Sequence, residues 1–190
     1  MPFPPRLQIA GATYHVATRA TGPSEFFRIP EDRRAFRNIL KHAIEKYEWR
    51  VHAYCLMVTH YHLVVTTPKP NIARGMQPLN SVYARAFNER HARLGHLVAA
   101  RYSATLIESD GHAFEVCRYL PLNPVRAKLC ARPEQWPWSS YAATIGLQRA
   151  PDFLDSSWIL ERFGDDVSTA RQTLRDFVDA ALVSETTQAA

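Results

Sequence analysis

Apolar spacing along the chain marks out its elements before any chemistry is considered. In "PEDRRAFRNILKHAIEKYEW", Phe36, Ile39, Leu40, Ala43, Ile44 and Tyr47 recur three and four apart. That spacing predicts an amphipathic helix, opened by Pro30 and two acids. "RVHAYCLMV" and "YHLVVTT" are rich in β-branched and aromatic residues and predict two strands joined tightly near Val58 and Thr59. An earlier strand is expected over Ala12 to Ala20, where "ATYHVATRA" alternates loosely.

Ile72, Met76, Leu79, Tyr83 and Ala86 predict a second helix from about Asn71 to His91, which Pro78 should kink or delay. A basic loop, "RHARLGHLVAARYS", leads to a short strand over Ala104 to Ser109. Asp110 is then expected to cap a third helix that Pro124 ends. The order strand, helix, strand, strand, helix, strand, helix fits an α+β fold of the ferredoxin-like kind, an antiparallel sheet with helices packed on one face. A Trp- and Pro-rich irregular segment follows, "RPEQWPWSSYAATIGL". Two short helices are expected within Ser156 to Phe163 and Ser168 to Leu182, then a disordered "SETTQAA". The chain thus divides into a domain over 1–150 and a C-terminal helical extension over 151–190.

Charge sharpens that division. Residues 151–190 carry eight acids against three Arg, which leaves ten acids against twenty basic residues in 1–150, so the body is cationic and the extension acidic. Nineteen of the 23 basic residues are Arg, the side chain best suited to forked phosphate contacts. A nucleic acid is therefore the leading partner, although Arg-rich codon usage gives the same count. No apolar run approaches a membrane span, and the first residues lack the apolar stretch of a secretory signal, so a cytoplasmic protein is expected. Cys55, Cys117 and Cys130 form no CxxC pair and indicate neither disulfides nor a zinc knuckle.

Candidate chemistry starts at "THYH". On a strand, His60 and His62 point to one face with Cα atoms roughly 6.5 to 7 Å apart, close enough to converge on one ion. Half-exposed strand histidines show the same spacing without a metal. On the third helix, His112, Glu115, Tyr119 and Asn123 form one polar stripe. Tyr119 and Asn123, four apart, can aim a phenol and an amide oxygen at one point, or simply pack and close the helix. A phenol attacks phosphorus when a metal polarises the phosphate. Two neutral imidazoles, an oxygen ligand and a tyrosine supply that requirement. The mixed nitrogen and oxygen donors suit Mg2+ or Mn2+ better than structural zinc.

These motifs carry a resemblance. "AYCLMVTHYHLVV", "RYLPLNPVRAKL" and "WPWSSY", with the opening strand "YHVATR" and the helix "NSVYARAFNERHARLGHL", resemble the single-tyrosine HUH transposases, in particular the REP-associated tyrosine transposases. The likeness covers about Gly11 to Gly146. It implies a metal-dependent endonuclease and strand transferase that acts on single-stranded or hairpin DNA through a 5′-phosphotyrosine intermediate and releases a free 3′-hydroxyl. It implies His60 and His62 as metal ligands, Asn123 as the third, and Tyr119 as the nucleophile. Thr59 stands where the family often has Asn, and Pro121 lies between nucleophile and ligand. Relatives act as monomers or homodimers. A cleavage-deficient regulatory DNA-binding protein on the same fold is the alternative.

Tyr83 is the rival nucleophile, but its place on the apolar repeat of the second helix favours core packing. His15 and His52 are ambiguous strand histidines, and Glu115 either orients a ligand or is solvated. Arg85, Arg90, Arg93 and Arg101 are the expected track for a DNA backbone, with Arg126 placed to touch the scissile phosphate. Trp136, Trp138 and Tyr141 either stack on bases or pin a loop onto the core.

Overall fold

The computed structural model describes residues 8–188, with side chains through Leu182. Its sheet contains β1 (Ala12–Arg19), β2 (Arg50–Leu56), β3 (His60–Thr67) and β4 (Ser103–Leu106) in the order β2-β3-β1-β4. β1 pairs antiparallel with both β3 and β4. Six helices complete the fold: α1 (Pro30–Tyr47), α2 (Ile72–Arg90), α3 (Asp110–Arg126), α4 (Tyr141–Thr144), α5 (Ser157–Leu160) and α6 (Val167–Gln188). The α+β architecture and strand order are those of the expected antiparallel ferredoxin-like sheet. No described helix is long and apolar enough to cross a membrane.

The chain separates into two compact units, residues 1–50 with 56–107, and residues 51–55 with 108–190. In the first, the period-two alternation of β1 and β3 sends Tyr14, Val16, Tyr61, Leu63 and Val65 into the core, where all are at most 1 % exposed. The Tyr61 ring meets Phe36 of α1 at 4.5 Å and Phe26 at 5.3 Å. Its hydroxyl donates to Asn80 of α2 at 2.7 Å and accepts from Thr18 at 3.0 Å. Helices α1 and α2 therefore lie on the Tyr61 face of the sheet, opposite His60 and His62.

A buried carboxylate joins those two helices. Asp32, at 0 % exposure, accepts the backbone N–H groups of Arg28 and Ile29 at 2.9 and 3.1 Å and so caps α1 from its first turn. The same group receives Arg90 at 2.7 Å and His91 Nε2 at 3.0 Å from the end of α2. Burial alone raises its pKa, but the Ile29 N–H, His91, the Arg28 N–H and Arg90 together hold it below the usual carboxylate value. The capping acid was visible in the sequence as a helix opener; its partners, 58 and 59 residues away, were not.

The second unit packs α3 against α6, with Phe114, Phe163 and Phe177 in mutual ring contact at 5.3 to 6.0 Å. Residues 151–188 thus share a unit with α3. His52 is buried there, with Nδ1 2.9 Å from the Asp155 carbonyl and its ring stacked on Trp158.

Several boundaries differ from the pattern-based reading. Helix α2 starts at Ile72 without delay from Pro78. Helix α3 is capped by Ser109, whose hydroxyl accepts the His112 N–H at 3.2 Å, rather than by Asp110. It runs through Pro121 and Pro124 to Arg126 instead of stopping at Asn123. β4 ends at Leu106, the segment after Arg132 contains a 3-10 turn at Pro133–Gln135 as well as α4, and α6 continues to Gln188. The last two residues of the expected disordered tail lie outside the described residues.

Replacing Asp32 by Ala should destabilise the protein by about 3 to 5 kcal/mol, because it strands two cationic partners and two cap N–H groups. Urea unfolding at neutral pH measures this; a loss below about 1 kcal/mol would show that the carboxylate does not tie the helices together.

Candidate functional site

The histidine pair begins at a turn. Met57 N–H donates to the His60 carbonyl at 2.9 Å, and Val58 and Thr59 occupy the turn without left-handed backbone. The N–H groups of Phe26 and Phe27 reach the Val58 carbonyl, and that of Ala20 the Thr59 carbonyl. The turn is thereby fixed to the main chain on both sides, and the first residue of β3 is fixed with it.

With Tyr61 driven into the core, His60 and His62 leave the sheet on the other face, their ring centroids 4.9 Å apart. Each ring is held through Nδ1. His60 Nδ1 lies 3.0 Å from the Thr59 hydroxyl, and His62 Nδ1 lies 3.0 Å from His15 Nε2 on the neighbouring strand. With Nδ1 as the donor in these contacts, Nε2 carries the lone pair, the form a metal ligand requires. Thr59, which departs from the family pattern, thus has a role here. His15, ambiguous by sequence, braces His62.

Both imidazoles are kept neutral. Burial holds His60 down at about 4, assisted by the charge of Arg19. Burial likewise holds His62 at about 3, with His15, His60 and Arg19 adding to it. Among the described residues no three His, Cys, Asp or Glu side chains form a metal cluster. The pair fits a divalent ion as two neutral nitrogen donors, with the rest of the coordination left to an amide oxygen, water or phosphate.

Tyr119, Asn123 and Arg126 belong to the second unit, on α3. Tyr119 is 38 % exposed, and the Arg126 guanidinium lies 5.8 Å from its ring centroid. Asn123 Nδ2 donates to the Tyr119 carbonyl at 2.8 Å, which fixes the amide one turn beyond the tyrosine. Glu115 is exposed on the same helix. Tyr83, by contrast, is fully buried, donates to the Phe26 carbonyl at 2.6 Å, and has its hydroxyl pKa raised by burial above the usual phenol value. It is a core residue.

The arginines sort differently from their even treatment in the sequence. Arg85, Arg93 and Arg101 line one cavity of about 1230 Å³ between α2 and the segment that follows it, together with Asn80, Asn88 and His96. Arg85 pairs with Glu89 at 2.8 Å on the exposed surface. Arg93 braces the loop by donating to the carbonyls of Gly95 and His96. Arg90 is turned toward buried Asp32. Trp136 and Trp138 are half-buried and Tyr141 is buried in the second unit.

Residues 8–121, more than half of the chain, match the family model for IS200-like transposases. The chain belongs to this family. Among solved structures, a REP-associated tyrosine transposase bound to a REP hairpin superposes with a TM-score of 0.67 at 18 % identity, covering 83 % of this chain and 96 % of that one. At that identity the match establishes the shared fold. No curated protein sequence matches. Membership of the IS200-like transposases makes this chain a DNA-processing protein by family.

The depressed histidines give a pH dependence whose sign follows from linkage. In the unfolded chain both rings take up protons near pH 6.5, whereas in the folded protein they do so only at about 4 and 3. Acidification across that window favours the unfolded state. Urea midpoints of the metal-free protein should fall between pH 6.5 and 4.5, above the range where Asp32 titrates, and His60→Gln with His62→Gln should flatten the fall. An equal slope in the double variant would mean that other groups carry it.

Proposed function

We propose that this transposase-family chain is a metal-dependent endonuclease and strand transferase of single-stranded or hairpin DNA that works through a 5′-phosphotyrosine intermediate. The observation that carries the reading is the pair His60 and His62: neutral, held through Nδ1, and presented on one strand face. The solved relative bound to a REP hairpin makes hairpin DNA the substrate to test first. The exposed arginines beside the α2 cavity, Arg85 and Arg101, provide for a phosphate backbone.

In this reading His60, His62 and the amide oxygen of Asn123 would hold Mg2+ or Mn2+, which would supply positive charge to the scissile phosphate. Tyr119 gives up its phenolic proton to solvent and its oxygen bonds to phosphorus. The bond from phosphorus to the 3′-oxygen breaks, and that oxygen leaves as a 3′-hydroxyl after taking a proton. The 5′-phosphate stays on Tyr119, so one phosphodiester has been exchanged for another and strand rejoining needs no external energy source. Asn123, tied to the Tyr119 carbonyl, keeps ligand and nucleophile one helical turn apart. Arg126, whose guanidinium lies 5.8 Å from the phenol ring centroid, brings a cation for the entering phosphate.

Tyr119→Phe removes one oxygen and should bind DNA as the parent does while forming no covalent adduct. Mass spectrometry after protease digestion of a manganese reaction with labelled hairpin DNA tests this; a nucleotide on another tyrosine, or an active Tyr119→Phe protein, overturns the mechanism. Chelation of the divalent ion should abolish the adduct in the parent. Binding should also weaken steeply with salt, and Arg101→Ala should lower the log–log salt slope by roughly one. An unchanged slope removes Arg101 from the backbone path.

A further inference from the structure

The β1–β3 register pairs Arg19 with His60 and Ala17 with His62, so Arg19 leaves the sheet on the histidine face, directly across from the first histidine. It is exposed, and no carboxylate among the described residues pairs with its guanidinium. The register sets its fixed charge opposite His60 and, on the same face, next to the Ala17–His62 pair. A fixed cation so close to a pair of metal ligands opposes a divalent ion by like-charge repulsion. Such a site gains its full charge balance only when an anion enters with the metal. A phosphodiester is the anion whose paired oxygens an arginine fork fits.

We propose that Arg19 is the phosphate-binding residue of the histidine site, so that metal and DNA backbone bind there cooperatively. This rests on His60 and His62 being metal ligands. Without DNA, Arg19 keeps metal affinity low. With a phosphodiester in place, the guanidinium binds a non-bridging oxygen, its repulsion of the metal is neutralised, and both ligands tighten. Linkage makes the effect reciprocal: metal must strengthen DNA binding by the same factor as DNA strengthens metal binding. A residue that only shaped the strand would not weaken one ligand alone and strengthen it in the presence of the other.

The test is calorimetric titration of Mn2+ into Tyr119→Phe protein, with and without single-stranded DNA of mixed sequence, compared with the same protein carrying Arg19→Gln, Arg19→Lys, or His60→Ala with His62→Ala. Circular dichroism confirms that each variant is folded. Without DNA, Arg19→Gln should bind manganese roughly threefold to tenfold more tightly, and Arg19→Lys, which keeps the charge, should stay near the parent. With DNA, the tightening seen in the parent should shrink by about tenfold in Arg19→Gln. Unchanged or weaker metal binding by Arg19→Gln without DNA overturns the proposal, as does undiminished coupling. If manganese binding is lost in the double alanine protein, that failure belongs to Arg19 alone. If it is absent from the parent or survives in the double alanine protein, the metal reading falls and the Arg19 proposal with it.

Discussion

Everything at the histidine face depends on the burial of one phenol on the opposite face. Tyr61 is fully enclosed among Phe26 and Phe36 and satisfies its hydroxyl with Thr18 and Asn80. A side chain of that size contributes several kcal/mol of apolar burial, and its hydroxyl has partners only in this position. A slip of one residue in β3 would bury two histidines and expose the phenol, so the alternation has a single acceptable register. Tyr61, between the two histidines, is thus the anchor of the strand. The pairing of β1 with β3 then carries that decision outward, placing His15 and Arg19 beside the pair.

Much of this was legible in the sequence because it is local. The apolar repeat of α1, the hairpin at Val58 and Thr59, and the order of elements along the chain all follow from spacing within a few residues. The histidine pair was legible for the same reason, since period-two geometry needs no tertiary information. Tyr83 was assigned to the core by the repeat of α2, and its burial agrees. What escaped notice was non-local. Asp32 reads as an ordinary helix-opening acid until Arg90 and His91 arrive beside it from the far end of α2. Arg19 reads as the end of a strand until β3 pairs with it. The signal for both His15 and Arg19 was present in "YHVATR", where residues 15 and 19 share a face, but the sequence did not say which face met the histidines.

The prolines of α3 show where a sound rule loses to context. Proline removes a donor and crowds the preceding turn, so a stop before Pro124 is the ordinary outcome. Here the helix continues for three more residues, Pro124 to Arg126, and the Ala127 N–H returns to the carbonyls of Asn123 and Val125. So close to a helix end few intrahelical donors remain to be lost, and the buried flanks, Pro121, Leu122 and Pro124, gain apolar contact from staying helical. Asn123 also satisfies the Tyr119 carbonyl with its side chain. Counting arginines failed in a similar way, because composition does not separate Arg90, committed to a buried acid, from Arg85 or Arg101 on the surface.

The bracing of the histidine rings has a consequence for the nascent chain. His15 and Arg19 are synthesised some forty residues before His60, and until β3 emerges they have no strand to pair with and no rings to hold. A partly made chain therefore leaves His15 without its ring partner and Arg19 without the residue across from it. The His15 contact to His62 and the neighbouring charge of Arg19 arrive together when the β1–β3 ladder closes. The surroundings of the histidine pair are then not a separate maturation step but a by-product of strand pairing. A truncated or misregistered chain carries the full motif in sequence and none of it in space.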